Sequence, residues 1–297
     1  MRSFLLKSFF LLVITVVPYL YIQYNRVPAK DSFYWKMTSP ASSLILGGSR
    51  ALKGISPSVL EEELMIDEVV NFAFTALHSP FGNPYYQLIK RKIQSAEEGG
   101  IFILSVTPAS MMDYADSPAP REENYSIYKL FSTNSNPNWE YLIRNPRIRI
   151  SLGERLFLDY KQTSKGTIIH SSGWEESPSH NQSKRTEVPP KLLKQRLLPS
   201  EERELYLEKI IELLQQKGQV ILVRLPISDA SLKVENHQIR KGFDTLMQHL
   251  ADKHDISYLN LSQQGEQYTF VNGHHHLDGQ SARKITKSIV QHLKKSR

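Results

Sequence analysis

The sequence contains no cysteine. That absence removes disulfides, thiolate catalysis and cysteine-ligated zinc at once, while leaving the compartment open, because many exported bacterial proteins also lack disulfides. No Gly-Lys-Ser/Thr follows the glycine-rich turn Leu46-Gly47-Gly48-Ser49-Arg50 at the spacing of a phosphate-cradling loop, so a Walker-type nucleotide site is excluded. A basic stripe is missing too. Formal net charge is +7, but the lysines and arginines are spread along the chain, whereas nucleic-acid binding needs them clustered, so no nucleic-acid partner is expected. The short basic tail of Lys294, Lys295 and Arg297 reads as a solvated helix end or a contact with anionic lipid headgroups.

Charge is also absent from residues 8–24, a run dominated by Phe, Leu, Val, Ile and Tyr and preceded by Arg2 and Lys7. This is about the minimum length for a helix that spans a bilayer. The run ends in Tyr19, Tyr21, Gln23 and Tyr24 instead of a small-x-small cleavage site, which predicts a retained signal anchor with tyrosines at the interface. Pro18 is tolerable in such a helix. A linker with Pro28, Pro40 and several serines follows, so residues 1–38 are expected to form anchor and linker, and residues 39–297 one domain.

What the domain does contain is an alternation of strand and helix signals. Strands are expected at Ser43–Gly47, 68–74, 100–106, 219–225 and 256–261. Helices are expected from Ser56-Pro57 onward, over 84–96, over 200–216 with Leu205, Ile210, Leu213 and Leu214 on one apolar side, over 238–251 and over 280–293. Residues 113–199, rich in Ser, Asn and Pro, break the rhythm and read as an insertion or lid. The pattern predicts an α/β domain of five parallel strands with helices on both faces. Such sheets bind ligands at the carboxyl ends of their strands.

Those ends are rich in reactive groups. After the first strand, Gly47 and Gly48 let the backbone turn and present Ser49, followed by Arg50. Near the C-terminus, Val271-Asn272-Gly273-His274-His275-His276-Leu277-Asp278 follows the fifth strand and precedes the last helix. A histidine there can lie beside a serine after strand one, and a neutral imidazole is the base suited to removing a serine proton near neutral pH. Three adjacent histidines also suit a metal, but neighbours on an extended chain alternate sides, so at most His274 and His276 point together and no second ligand cluster is evident. No metal or cofactor is therefore expected. Arg50 and Arg224 can each hold a carboxylate or phosphate bidentately, and His78, after the second strand, is a further candidate for the site.

Together the two ends resemble the SGNH, or GDSL-like, hydrolases, in which the serine follows strand one and the histidine lies near the C-terminus in a block written Asp-x-x-His-Leu. His276-Leu277-Asp278 followed by Ser281-Ala282 looks like that block, and Val70-Asn71-Phe72-Ala73-Phe74-Thr75-Ala76 is similar to the second block, in which a main-chain amide, here of Ala76 or Ala73, serves the oxyanion. The resemblance implies a three-layer, flavodoxin-like α/β fold with a five-stranded parallel sheet. It departs from the family in three places. The first motif reads Gly-Gly-Ser-Arg, a form similar to membrane-anchored members associated with polysaccharide O-acetylation and teichoic acid D-alanylation. Ser105-Val106-Thr107 stands where Gly-x-Asn is usual, leaving Thr107 or a neighbour as the oxyanion donor. Gly273 stands where the acid is expected, so that Asp278, a serine–histidine dyad, or His275 with Asn272 as orienter are the alternatives.

The resemblance implies a serine esterase or O-acyltransferase working on acyl, especially acetyl, esters of a cell-envelope polysaccharide. Its implied partners are an acyl donor, the glycan and a membrane-bound O-acyltransferase. The implied place is the bacterial cytoplasmic membrane, crossed once, with the domain on the extracytoplasmic side. A non-catalytic accessory protein that binds glycan or scaffolds an envelope assembly is the second expectation, since both the acid and the asparagine are missing.

Overall fold

The computed structural model describes residues 1–26, 32–75, 78–114, 122, 125–144, 166–178, 197–236, 241–271 and 275–295. Five strands, β1 (Ser43–Gly47), β2 (Val69–Asn71), β3 (Gly100–Ser105), β4 (Gly218–Arg224) and β5 (Ser257–Asn260), form one parallel sheet in the order β2-β1-β3-β4-β5. This is the flavodoxin-like order, with the strand sequence reversing between β1 and β3.

Successive side chains of a strand point to opposite faces, and the core divides accordingly. Leu44, Leu46, Phe102, Leu104, Val220 and Leu222 pack on one face beneath α2 (Ser32–Thr38), α5 (Asn83–Lys92), α7 (Glu201–Gln215) and α9 (Phe243–Lys253). Ile45, Ile101, Ile103, Ile221 and Val223 pack on the other, beneath α3 (Ser49–Gly54), α4 (Pro57–Leu64) and α10 (Gly279–Lys295). Two further short helices, α6 (Trp139–Arg144) and α8 (Asp229–Val234), complete the set used below. The expected three layers are present, with the middle layer buried on both sides as a parallel sheet must be.

Some boundaries differ from the sequence pattern for identifiable reasons. The buried side of α7 is Leu207, Ile210, Ile211 and Leu214, while Leu205 is exposed, because residue 205 lies two positions from 207 and therefore almost opposite it on a 3.6-residue helix. β2 ends at Asn71, short of the expected residue 74, although the amides of Phe72 and Phe74 still donate to Ile45 O and Gly47 O, at 2.8 and 3.1 Å. Ser49 sits not in a bare turn but at the first position of α3.

α1 (Arg2–Arg26) is long and apolar enough to cross a membrane: residues Arg2–Tyr19 have a mean hydropathy of 1.5 and none of that window is buried. α2 lies in the span read as linker, yet its Tyr34, Lys36, Met37 and Thr38 are buried. The Lys36 ammonium donates to Asn71 O at 2.5 Å and to Gly173 O. The described parts of residues 113–199 also join the body. Tyr128, Leu130 and Tyr141 enter one core face and Trp174 the other. Residues 166–178 run along the β2 edge, where Asn71 N–H donates to Ser172 O at 2.8 Å, and reach α3 through Trp174 Nε1, which donates to Lys53 O at 3.1 Å. They cover an edge strand that would otherwise expose unpaired backbone groups.

Candidate functional site

The turn that presents Ser49 is held from three sides. Gly47 has φ of +128°, a left-handed value, and a Cβ there would lie 2.5 Å from Ser105 O on the neighbouring strand. Its carbonyl accepts from Phe74 N–H and, at 2.7 Å, from the Ser79 hydroxyl. Its amide donates to the Tyr85 hydroxyl at 3.3 Å, which in turn donates to Phe72 O at 2.8 Å. Beneath α3, the buried Asn71 amide donates to Ala51 O at 2.9 Å and Ile55 O at 3.1 Å, while its Oδ1 accepts from Ala73 N–H at 3.3 Å. One side chain thus ties the helix that carries Ser49 to the loop that follows β2.

His276 reaches the same place from the other end of the chain. Residues His276–Leu277 pair antiparallel with Phe270–Val271, which fixes the backbone just ahead of α10. His276 Nε2 and Ser49 Oγ are 2.9 Å apart, a hydrogen bond between residues 227 positions apart in sequence. Burial, followed by the charges of His275, Lys53 and Arg50, pushes the His276 imidazole down from 6.5 to about 2, so it is neutral near neutral pH, and in its Nδ1–H tautomer Nε2 accepts from the serine hydroxyl. The His275 and His276 rings meet edge to face at 4.2 Å.

The acid side of a triad has a different answer. Among the described residues no carboxylate hydrogen-bonds to His276. Asp278 is buried and instead caps α10, its Oδ1 accepting from Ser281 N–H at 2.8 Å. Asn272, His274 and Ala76 lie outside the described residues.

Arg50 turns away from solvent to pair with Glu235, which also binds Arg224 Nη2 at 3.0 Å. Arg224 is fully buried and is further held by Asp244, at 2.7 and 2.8 Å, and by Asn236 at 3.0 Å. Burial alone would raise the Glu235 carboxyl; Arg50 and Arg224 override it and hold Glu235 below the ordinary carboxylate range. Both arginines are therefore engaged inside the protein. Thr107 caps the 3-10 turn Pro108–Met111, its hydroxyl accepting from Ser110 N–H at 3.2 Å and its amide donating to Ser110 Oγ at 3.0 Å. His78 bonds through Nδ1 to Thr75 Oγ1 at 2.6 Å and packs against Tyr125 and Phe33, with burial lowering its pKa. No described contact joins Thr107 or His78 to Ser49 or His276.

The structure thus brings Ser49 and His276 together with Arg50 adjacent. The residues that sequence reasoning overlooked are Glu235, and Asn71 as the tie beneath α3. A signal for Glu235 existed: an arginine inside an apolar strand requires a buried acid nearby. Nothing in the spacing singles out Asn71 for its tie to α3.

No family model matches the chain, and no curated protein does. A solved structure from Streptococcus pneumonia, described as that of "a putative platelet activating factor", is similar over 95% of this chain and 98% of its own, at a TM-score of 0.40 and 12% identity. Likeness at that level says nothing about function.

Proposed function

We propose that this chain is a serine esterase or O-acyltransferase of the SGNH type, with Ser49 as nucleophile and His276 as base. The observation that carries the reading is the 2.9 Å contact between Ser49 Oγ and a half-buried, neutral His276 Nε2 at the carboxyl ends of a flavodoxin-like sheet. In the proposed reaction Ser49 Oγ gives its proton to Nε2 as it attacks the acyl carbonyl. The imidazolium then returns that proton to the departing alkoxide, leaving an acyl-serine. Water or a sugar hydroxyl, deprotonated by the same imidazole, attacks next and releases the acyl group as an acid or a new ester. Oxyanion stabilisation falls to the Ser49 amide, which at the start of α3 has no intrahelical partner, with the Ala76 amide or the Thr107 hydroxyl as the second donor. Arg50 and Lys53 disfavour the imidazolium, but they favour the negative charge that develops on substrate in the same step.

The substrate proposed is an acetyl or similar acyl ester of a cell-envelope polysaccharide, with an acyl donor and a membrane-bound O-acyltransferase as partners. The proposed location is the bacterial cytoplasmic membrane, spanned once by α1, with the domain outside. The decisive experiment treats the full chain in detergent with a fluorophosphonate and locates the adduct by mass spectrometry in wild type, Ser49→Ala and His276→Ala. Modification at Ser49 that falls in His276→Ala is the expected result. An unmodified Ser49 would instead favour a second reading, a non-catalytic glycan-binding or scaffolding protein, which is supported by the absence of a described carboxylate on His276 and the use of Asp278 as a cap.

A further inference from the structure

Where the chain enters its domain bears on what the site can reach. Phe33, at the start of α2, stacks on Phe74 with ring centroids 5.1 Å apart and meets His78 edge-on at 5.1 Å. Phe74 and His78 both follow β2, at the carboxyl end of the sheet. From there the chain descends: Lys36 bonds to Asn71 O at the end of β2, and Ser42 N–H donates to Glu68 O, just before β2 begins. α2 therefore runs against the strands, and the entry point is the edge that holds the candidate site. Phe74 itself donates its amide to Gly47 O, two residues ahead of Ser49.

The tether to α1 is short. Arg26 ends α1 and Ser32 begins α2; six peptide units at about 3.6 Å each span no more than about 22 Å. A folded unit of some 260 residues has a radius of gyration of about 18 Å and a diameter of about 45 Å. With α1 in a bilayer, the tether is too short to turn the opposite edge toward it.

We propose that the edge carrying Ser49 and His276 faces the bilayer, and that its ligand is an acyl ester carried at headgroup level by a membrane-bound amphiphile. The substrate half of this rests on the esterase reading above; the orientation half does not.

The absence of cysteine makes the test direct, because each introduced thiol is unique. Ala109 and Gln280 are exposed at the carboxyl edge, after β3 and at the start of α10; Glu98 and Asp255 are exposed at the amino edge, ahead of β3 and β5. The full chain with Ala109→Cys, Gln280→Cys, Glu98→Cys or Asp255→Cys is labelled with a donor dye and placed in phosphatidylcholine–phosphatidylglycerol vesicles bearing a headgroup acceptor. Energy transfer is expected to be higher from positions 109 and 280 than from 98 and 255, and equal or reversed transfer overturns the orientation. A second arm compares hydrolysis of a lipid-linked acetyl ester and p-nitrophenyl acetate before and after insertion of a rigid helical spacer of about 30 Å between Arg26 and Ser32. The lipid-linked rate is expected to fall roughly tenfold, because the spacer removes the local concentration set by the tether, while the soluble rate holds. Equal behaviour of the two esters overturns the substrate class. If neither ester is cleaved while the transfer order holds, the orientation stands and the esterase reading falls.

Discussion

Gly47 and Ser105 are register partners on adjacent strands, so close that a Cβ on Gly47 would sit 2.5 Å from the Ser105 carbonyl oxygen. With φ at +128°, Gly47 is also in a region that side chains rarely adopt. The relationship sets the direction in which β1 leaves the sheet, and therefore where Ser49 emerges.

Gly47→Ala is accordingly expected to destabilise the domain by more than about 1 kcal/mol and to abolish fluorophosphonate labelling of Ser49. Gly48 has φ of −91°, which alanine adopts, so Gly48→Ala should cost less stability. Thermal unfolding by near-UV circular dichroism with labelling yields separates the two. Equal, mild effects would show that the turn does not depend on Gly47.

The pH dependence of Ser49 reactivity follows from the environment of His276. Only neutral imidazole can take the serine proton, and burial with the neighbouring His275, Lys53 and Arg50 lowers its pKa to about 2. A folded pKa far below 6.5 keeps the base available as pH falls. The labelling rate of Ser49 should therefore stay level from pH 8 to about 5, rather than fall about tenfold per unit below the ordinary histidine value. A midpoint near 6.5 in the rate profile would show instead that His276 titrates normally.

Glu235 is the only described carboxylate shared by Arg50 and Arg224. Its removal leaves two guanidinium groups short of compensation in a buried setting, where breaking an ion pair costs about 3–5 kcal/mol. Glu235→Ala is expected to lose stability on that scale, and Glu235→Gln, whose one amide oxygen can still accept from one of the two guanidinium groups, to lose less. Urea unfolding of the detergent-solubilised chain measures both, and unchanged midpoints would remove the network from the account of stability.

Lys36 is buried with no hydrogen-bonded carboxylate among the described residues, and desolvation lowers its pKa to about 7 against the opposing charge of Glu175. The unfolded chain holds this proton up to about 10.4. Between the two values the unfolded state binds more protons, so stability rises with pH from about 7 to about 10.4 and is lost over the same interval as pH falls, the loss being complete below 7. From pH 7.5 to 9.5 wild type should gain roughly 2 kcal/mol relative to Lys36→Met, read from unfolding midpoints at the two pH values. Parallel pH dependences would mean that Lys36 keeps its charge in the folded protein.

Much of the architecture was legible in local pattern. The alternation of Leu44, Ile45 and Leu46, or of Ile101 to Leu104, states both strand and two-sided burial, because a parallel sheet is covered on both faces. The uncharged run of residues 8–24 states a helix suited to a bilayer. The pairing of Ser49 with His276 could be anticipated only because parallel α/β topology returns every strand's carboxyl end to one edge.

Other features depended on contacts between distant segments, which local pattern does not encode. Whether Asp278 oriented a histidine or capped a helix turned on the position of one amide, Ser281 N–H. Whether Arg50 faced a ligand or an internal acid turned on Glu235, 185 residues away. α2 and residues 166–178 read as linker and insertion because their residues show no long periodicity; they are ordered by what they touch, Lys36 at Gly173 and Trp174 at Lys53. Periodicity reports which face of an element is buried, and so the sequence determined the layers and the ends at which chemistry gathers. The partner of each buried polar group is set by desolvation, which makes an unpaired group costly wherever the fold encloses it, and so only the tertiary structure decided which charges serve the site and which serve the core.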